Sequence, residues 1–200
     1  MSPSPEESPP AGSSSVEEGT ELSPEERALL LKLAHQSIAS ALERREISLT
    51  APSPRLAEPR GVFTTLYYRG ELRGCVGFAL AVAPLYRAVA ETAQGAAFDD
   101  SRFPPVTREE VSELRISLSV LSPLRTILPE KIEVGRHGLL VTQAGRRGLL
   151  LPQVPGEHGW DRIAFLEQTC HKAGLPLNAW QHGARIEAFT AEVFGDKDTT

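Results

Sequence analysis

The sequence predicts an α+β fold, a mixed or antiparallel sheet with flanking helices. Two segments, 61–79 and 138–154, each read as strand, glycine turn and strand. Three helical segments are interleaved with these hairpins without a β–α–β repeat, and that order excludes a doubly wound parallel sheet. A third observation is the clean alternation of "ELRISLSVLSP". It sets Leu114, Ile116, Leu118 and Val120 on one face and Arg115, Ser117 and Ser119 on the other, as in a half-buried antiparallel strand.

Residues 1–22 are almost entirely Pro, Ser, Glu and Gly, too polar to offset their ordering entropy, and are expected to be a disordered acidic tail. The folded domain is expected over 23–195, with 196–200 a short C-terminal tail. In "SPEERALLLKLAHQSIASALERREI", Ser23 is the N-cap, Pro24 suits the first helical position and Glu26 completes a capping box. Leu30, Leu33, Ala34, Ile38, Ala41 and Leu42 then recur at helical spacing, with His35 beside that face. Prolines 52, 54 and 59 make "TAPSPRLAEPR" an extended connector. The first hairpin turns at Arg69–Gly70. Its second strand ends in "ELRGCVG", where a cysteine sits between glycines.

Pro84 opens the second helix, whose Leu85, Val89, Thr92, Ala93 and Ala96 form a narrow face suited to lying close on a sheet. "DDSRFPPVTREE" is a loop, with Thr107 capping a turn completed by Glu110. The second hairpin is expected to turn across Gly145–Gly148. "GWDRIAFLEQTCHKAG" is the third helix, ended by Gly174, with Ile163, Leu166, Cys170 and Ala173 on its buried face. One last strand is expected in "ARIEAFTAEVF". No internal repeat is visible.

Bulk properties narrow the function. The chain has 200 residues, 40% hydrophobic and 24% charged, as in an ordinary globular protein. No apolar run reaches the roughly 18 residues of a membrane helix, and the N-terminus lacks the basic and apolar regions of a secretory signal. Two cysteines far apart fit a reducing compartment, so a cytoplasmic protein is expected. The tail's five glutamates account for the whole formal charge of −5, leaving 21 acidic and 21 basic residues in the body. A neutral body without a Lys/Arg block argues against nucleic acid as a partner, with Arg146–Arg147 the one local basic patch.

Chemistry concentrates around Cys75. Gly74 and Gly77 remove neighbouring side chains, so the backbone is bent there or something approaches closely. On a regular strand Arg73 points the same way as Cys75. It could stabilise a thiolate, or grip a carboxylate or phosphate, or make an internal ion pair beside a packed cysteine. A cysteine nucleophile needs a base, for which His137 in "GRHGLL" is the first candidate and His158 the second; His182 sits in a loop. Asp100 and Arg102, pinned by Phe103, Pro104 and Pro105, could pair with each other or face Cys75. Cys170 reads as core. There is no Walker loop, no G-x-G-x-x-G and no zinc-ligand spacing, so no cofactor or metal is assigned.

Six phrases occur in order: "LRGCVG", "DDSRFPPV", "LSVLSP", "GRHGLLV", "RRGLLLPQV" and "GWD". Together they resemble the AMMECR domain family, called AmmeMemoRadiSam system protein A in prokaryotes, over roughly residues 23–195. The resemblance implies two unequal lobes with a cleft between them and the signature Leu72–Gly77 at that cleft. It implies no defined activity. Prokaryotic members are encoded with, or fused to, a Memo-type protein beside a radical SAM protein, and eukaryotic members are implicated in partner binding. "GWD" brings Trp160 and Asp161 to the same cleft. The expected site is thus Cys75, His137 and Asp100 as catalytic groups. Arg73, Gly74, Gly77, Arg102, Trp160 and Asp161 would bind an anionic small molecule or protein group. The alternative is a partner-binding module in which Cys75 is structural.

Overall fold

The computed structural model describes residues 21–45, 47, 50 and 52–197. The tail expected over 1–22 lies outside the described residues as far as residue 20, as do 198–200. Leu22, placed in the tail by its sequence, is 3% exposed and packs in the core, its N–H donating to the Glu192 carboxylate.

The capping box at Ser23 and Glu26 starts helix α1 (Pro24–Leu42). The connector contains one short 3-10 turn, Arg55–Ala57. Strands β1 (Val62–Tyr68) and β2 (Glu71–Phe78) form the first hairpin. Both turn residues, Arg69 and Gly70, have positive φ, the geometry that matches the twist of two antiparallel strands. Helix α2 (Leu85–Phe98) follows, capped by Pro84. It is buried on more than its small-residue face, because α1 covers it on one side and the sheet on the other. Two polar contacts lock these layers. Ser37 donates to the Ala90 carbonyl at 2.8 Å between the helices, and the Thr64 and Thr92 hydroxyls meet at 2.8 Å between β1 and α2. Such pairing is what makes buried hydroxyls tolerable.

Strand β3 (Leu114–Leu121) buries the four expected residues. The chain then passes to strands β4 (Arg125–Thr126), β5 (Gly138–Gln143) and β6 (Arg146–Leu150). The second hairpin turns at Ala144–Gly145 rather than across Gly145–Gly148. Gly148 instead sits inside β6, where a Cβ would lie 2.3 Å from the Ala173 backbone nitrogen. A short helix α3 (Val154–His158), unforeseen in the sequence, precedes α4 (Arg162–Lys172). Cys170 is fully buried as expected, whereas Ile163 is 41% exposed and Phe165 takes its place in the core.

The expected last strand is two strands. Strand β7 (Arg185–Phe189) belongs to one sheet and β8 (Ala191–Gly195) to another. The fold is therefore two four-stranded antiparallel sheets, ordered β2-β1-β3-β8 and β4-β7-β5-β6. Each has its own buried cluster. The larger is built with α1 and α2, the smaller with α4 around Phe165, Leu166 and Cys170. The chain crosses between sheets twice, at 122–124 and at Thr190. There the Ser122 N–H donates to the Thr190 carbonyl and the Thr190 N–H donates to the Ser122 hydroxyl, both at 2.9 Å. Among the described residues no helix is long and apolar enough to cross a membrane.

Ser122→Ala leaves the partly buried Thr190 N–H without its acceptor. It is expected to lower stability by about 1–2 kcal/mol in urea titrations. A change below about 0.3 kcal/mol would show that the hydroxyl does not hold the crossing.

Candidate functional site

Strand β2 is an edge strand, paired on one side only, by β1. Every second residue of such a strand turns an N–H and a carbonyl outward. Cys75 is one of these. Its N–H donates to Asp100 Oδ2 at 2.9 Å, and its carbonyl faces Arg102 Nη2 at 3.5 Å. Arg102 grips the same carboxylate from its Nη2 at 2.7 Å and its Nε at 2.9 Å. The Asp100–Arg102 pair thus stands where a neighbouring strand would supply one acceptor and one donor. The Cys75 thiol is half-buried and accepts from the Thr65 hydroxyl at 3.4 Å, its cross-strand neighbour.

Arg73 does not share the direction of Cys75. Leu66 pairs with Gly74 and Tyr67 with Leu72, so Arg73 is the extra residue of a β-bulge and the alternation breaks there. Its guanidinium makes two hydrogen bonds to Glu110, at 2.8 and 3.0 Å, and caps the carbonyls of Pro104 and Pro105. The side chain is only 11% exposed. Of the alternatives open in the sequence, the internal ion pair is the one formed. Arg73 in turn holds the Glu110 carboxyl below its ordinary range.

Both glycines of the signature permit close approach. A Cβ on Gly74 would lie 2.0 Å from the Ala96 carbonyl oxygen, so α2 could not rest on β2 with any larger residue there. Val76 packs against Gly95 on the same face. On the opposite face the Phe63 ring covers Gly77, where a Cβ would come within 2.3 Å. "LRGCVG" is therefore a strand edge fitted between a helix, an aromatic ring and an arginine-bound loop.

Asp100 is a poor base in this setting. Arg102, and after it the Cys75 N–H, hold its carboxyl far below the usual carboxylate range, so it is ionised and committed at neutral pH. His137 lies elsewhere. It precedes β5, its Nδ1 accepts from the Glu133 N–H at 3.0 Å, and no hydrogen bond joins it to Cys75. It lines a cavity of about 810 Å³ bounded by both sheets, with Arg60, Ser122, Gln153, Phe189 and Val193 among its walls. Cys75, Asp100 and Arg102 are not part of that wall. Trp160 stacks on His158, ring centroids 4.5 Å apart, and packs on the smaller core. Asp161 caps α4 by accepting from the Ala164 N–H at 2.8 Å. The structure thus gathers Cys75, Asp100, Arg102, Gly74 and Gly77, turns Arg73 to Glu110, and sets His137, Trp160 and Asp161 apart. Among the described residues no cluster of three or more His, Cys, Asp and Glu could hold a metal.

The roles of two residues were not legible in the sequence. Glu110 reads there as a helix cap, and it does accept from the Thr107 N–H, yet its main partner is Arg73. Arg60 stands between Pro59 and Gly61 just before a strand, and nothing in that context marks it as buried.

The fold and site define an α+β protein of two antiparallel sheets whose signature cysteine lies on an arginine-clasped strand edge. The chain belongs to the AMMECR1 family, whose profile it matches over residues 31–194. It is 45% identical to the protein MK0488 of Methanopyrus kandleri, over 90% of this chain and 93% of that one. It is 39% identical to a protein of Aquifex aeolicus, over 84% and 92%. The crystal structure of the uncharacterised protein PH0010 from Pyrococcus horikoshii superposes with a TM-score of 0.70 at 42% identity, covering 84% of this chain and 90% of that chain.

The Asp100 clasp has a pH signature. Its folded carboxyl lies below the unfolded value of about 3.9, so its stabilisation is present above that value and lost as pH falls below it. Asp100→Asn is expected to lower the urea midpoint at about pH 7, and its gap to the unmodified chain to narrow between about pH 5 and pH 2. A constant gap would show that the carboxylate's charge contributes nothing.

Proposed function

We propose that this chain is a recognition component of a Memo-type and radical SAM pathway rather than a thiol enzyme. In this role it binds an anionic small molecule or an anionic group on a partner protein, and Cys75 is structural. One observation carries the proposal: the polar groups around Cys75 are already engaged within the chain. Its N–H is held by Asp100, its thiol accepts from Thr65, Asp100 is clasped by Arg102, and Arg73 is bound to Glu110. A nucleophilic cysteine needs a base within hydrogen-bond reach, and Asp100, the carboxylate that meets Cys75, is arginine-bound. Two unpaired cysteines suit work in the reducing cytoplasm.

The test is direct, because Cys170 is fully buried and its thiol is pushed up by that burial. Cys75 is expected to react with iodoacetamide no faster than a free peptide thiol at neutral pH. Cys75→Ser is expected to keep co-purifying with a Memo-type partner. Alkylation about tenfold faster than the free thiol would restore the nucleophile and overturn the proposal.

A further inference from the structure

The strongest unassigned feature is Arg60. It is 6% exposed, and it lines the cavity between the sheets. Its Nε donates to the Leu121 carbonyl at 3.1 Å, which fixes the guanidinium plane at the crossing. Its two terminal nitrogens donate to none of the described residues, and it forms no ion pair with any described carboxylate. Arg73, Arg102 and Arg27, by contrast, are ion-paired with Glu110, Asp100 and Glu192. A largely buried guanidinium without a counter-ion is costly unless an anion or solvent in the cavity serves its terminal nitrogens. Burial pulls Arg60 below the ordinary arginine value, and the Glu192 carboxylate, the largest opposing influence, only partly offsets this. It stays cationic all the same.

The surroundings define what would pair with it. Arg125 and Arg136 also line the cavity, both exposed. Of the two acidic residues on the wall, Glu192 is bound by Arg27 at 2.7 Å and by the Leu22 N–H, and Glu21 is exposed. Val120, Ile127 and Phe189 give the cavity an apolar side. Its volume, about 810 Å³, falls within the roughly 300–1,000 Å³ typical of small-molecule sites. The free ends of a fixed guanidinium present two parallel donors, the pattern that matches a carboxylate or phosphate oxygen pair.

We infer that Arg60 is the anchor of a binding site for a small organic anion, a carboxylate or phosphate ester with an apolar body, in the cavity between the two sheets. The inference rests on the recognition role proposed above and names its ligand class. The site is separate from the Cys75 edge, and no covalent step is involved.

The test titrates the full chain with phenyl phosphate and with benzoate, benzyl alcohol being the neutral control, while amide resonances of Ser122, Gln153 and Thr190 are followed. Saturable shifts are expected with at least one anion, with benzyl alcohol at least about tenfold weaker. Arg60→Met is expected to weaken the anion by about tenfold or more, since the paired donors of the guanidinium are gone. The inference is overturned if neither anion shifts those resonances, if benzyl alcohol binds as well, or if folded Arg60→Met binds phenyl phosphate like the original chain. Should Arg60→Met fail to fold, the comparison of anion with neutral probe still decides. The titration involves no partner protein, so its failure leaves recognition of a protein group standing. Loss of partner capture with phenyl phosphate still bound would instead remove the pathway role and leave the pocket.

Discussion

The double crossing between the sheets is the constraint on which the rest of the molecule depends. Ser122 and Thr190 hold the two passing strands side by side through a reciprocal pair of hydrogen bonds. One residue earlier, the Leu121 N–H donates to the Gly61 carbonyl and the Leu121 carbonyl accepts from Arg60. These four contacts tie the start of β1, the end of β3 and the β7–β8 step into one node. With the node in place, two sheets that each bury only one cluster meet at a cavity rather than in a shared core. A backbone group at such a crossing has left one ladder and not yet joined the next, so its partners must come from local hydroxyls and carbonyls.

The signature strand solves a related problem at the other side of the first sheet. An exposed strand edge invites pairing with another chain. Here the segment after α2 closes it with one aspartate and one arginine, and Arg73, extruded by a bulge, ties the same segment down through Glu110 and two proline carbonyls. The motif's glycines belong to this packing, one under α2 and one under Phe63. The Cys75 N–H, carbonyl and thiol and the Arg73 guanidinium thus all meet partners within the chain.

Much of the fold was legible in the sequence because it follows local rules. The α1 capping box, the Arg69–Gly70 turn and the alternation of β3 each state their structure within a few residues. What escaped depends on the other sheet. "ARIEAFTAEVF" has uninterrupted strand chemistry, and only the change of neighbours at Thr190 divides it in two. Ile163 sits at helical spacing from Leu166 and Cys170, yet the smaller core admits Phe165 instead. For the site, Asp100 and Arg102 do both things the sequence left open, pairing with each other and meeting Cys75. His137 stands apart from them, and a histidine before a strand says nothing about which sheet that strand joins.

Arg73 and Arg60 make the limit of motif reasoning concrete. Arg73 lies two residues from a cysteine between glycines, and its guanidinium makes four hydrogen bonds within the chain. Arg60 lies in an unremarkable "EPRG", is buried, and has terminal nitrogens that donate to no described residue. Sequence spacing reports which side chains can share a strand face, but the demand for a counter-ion depends on burial and on acceptors distant in the chain. Leu121, the one acceptor of Arg60 among the described residues, is 61 residues away and at the crossing. The same node that joins the sheets therefore aligns the guanidinium and, by engaging only its Nε, leaves its fork open toward the cavity wall it helps to form.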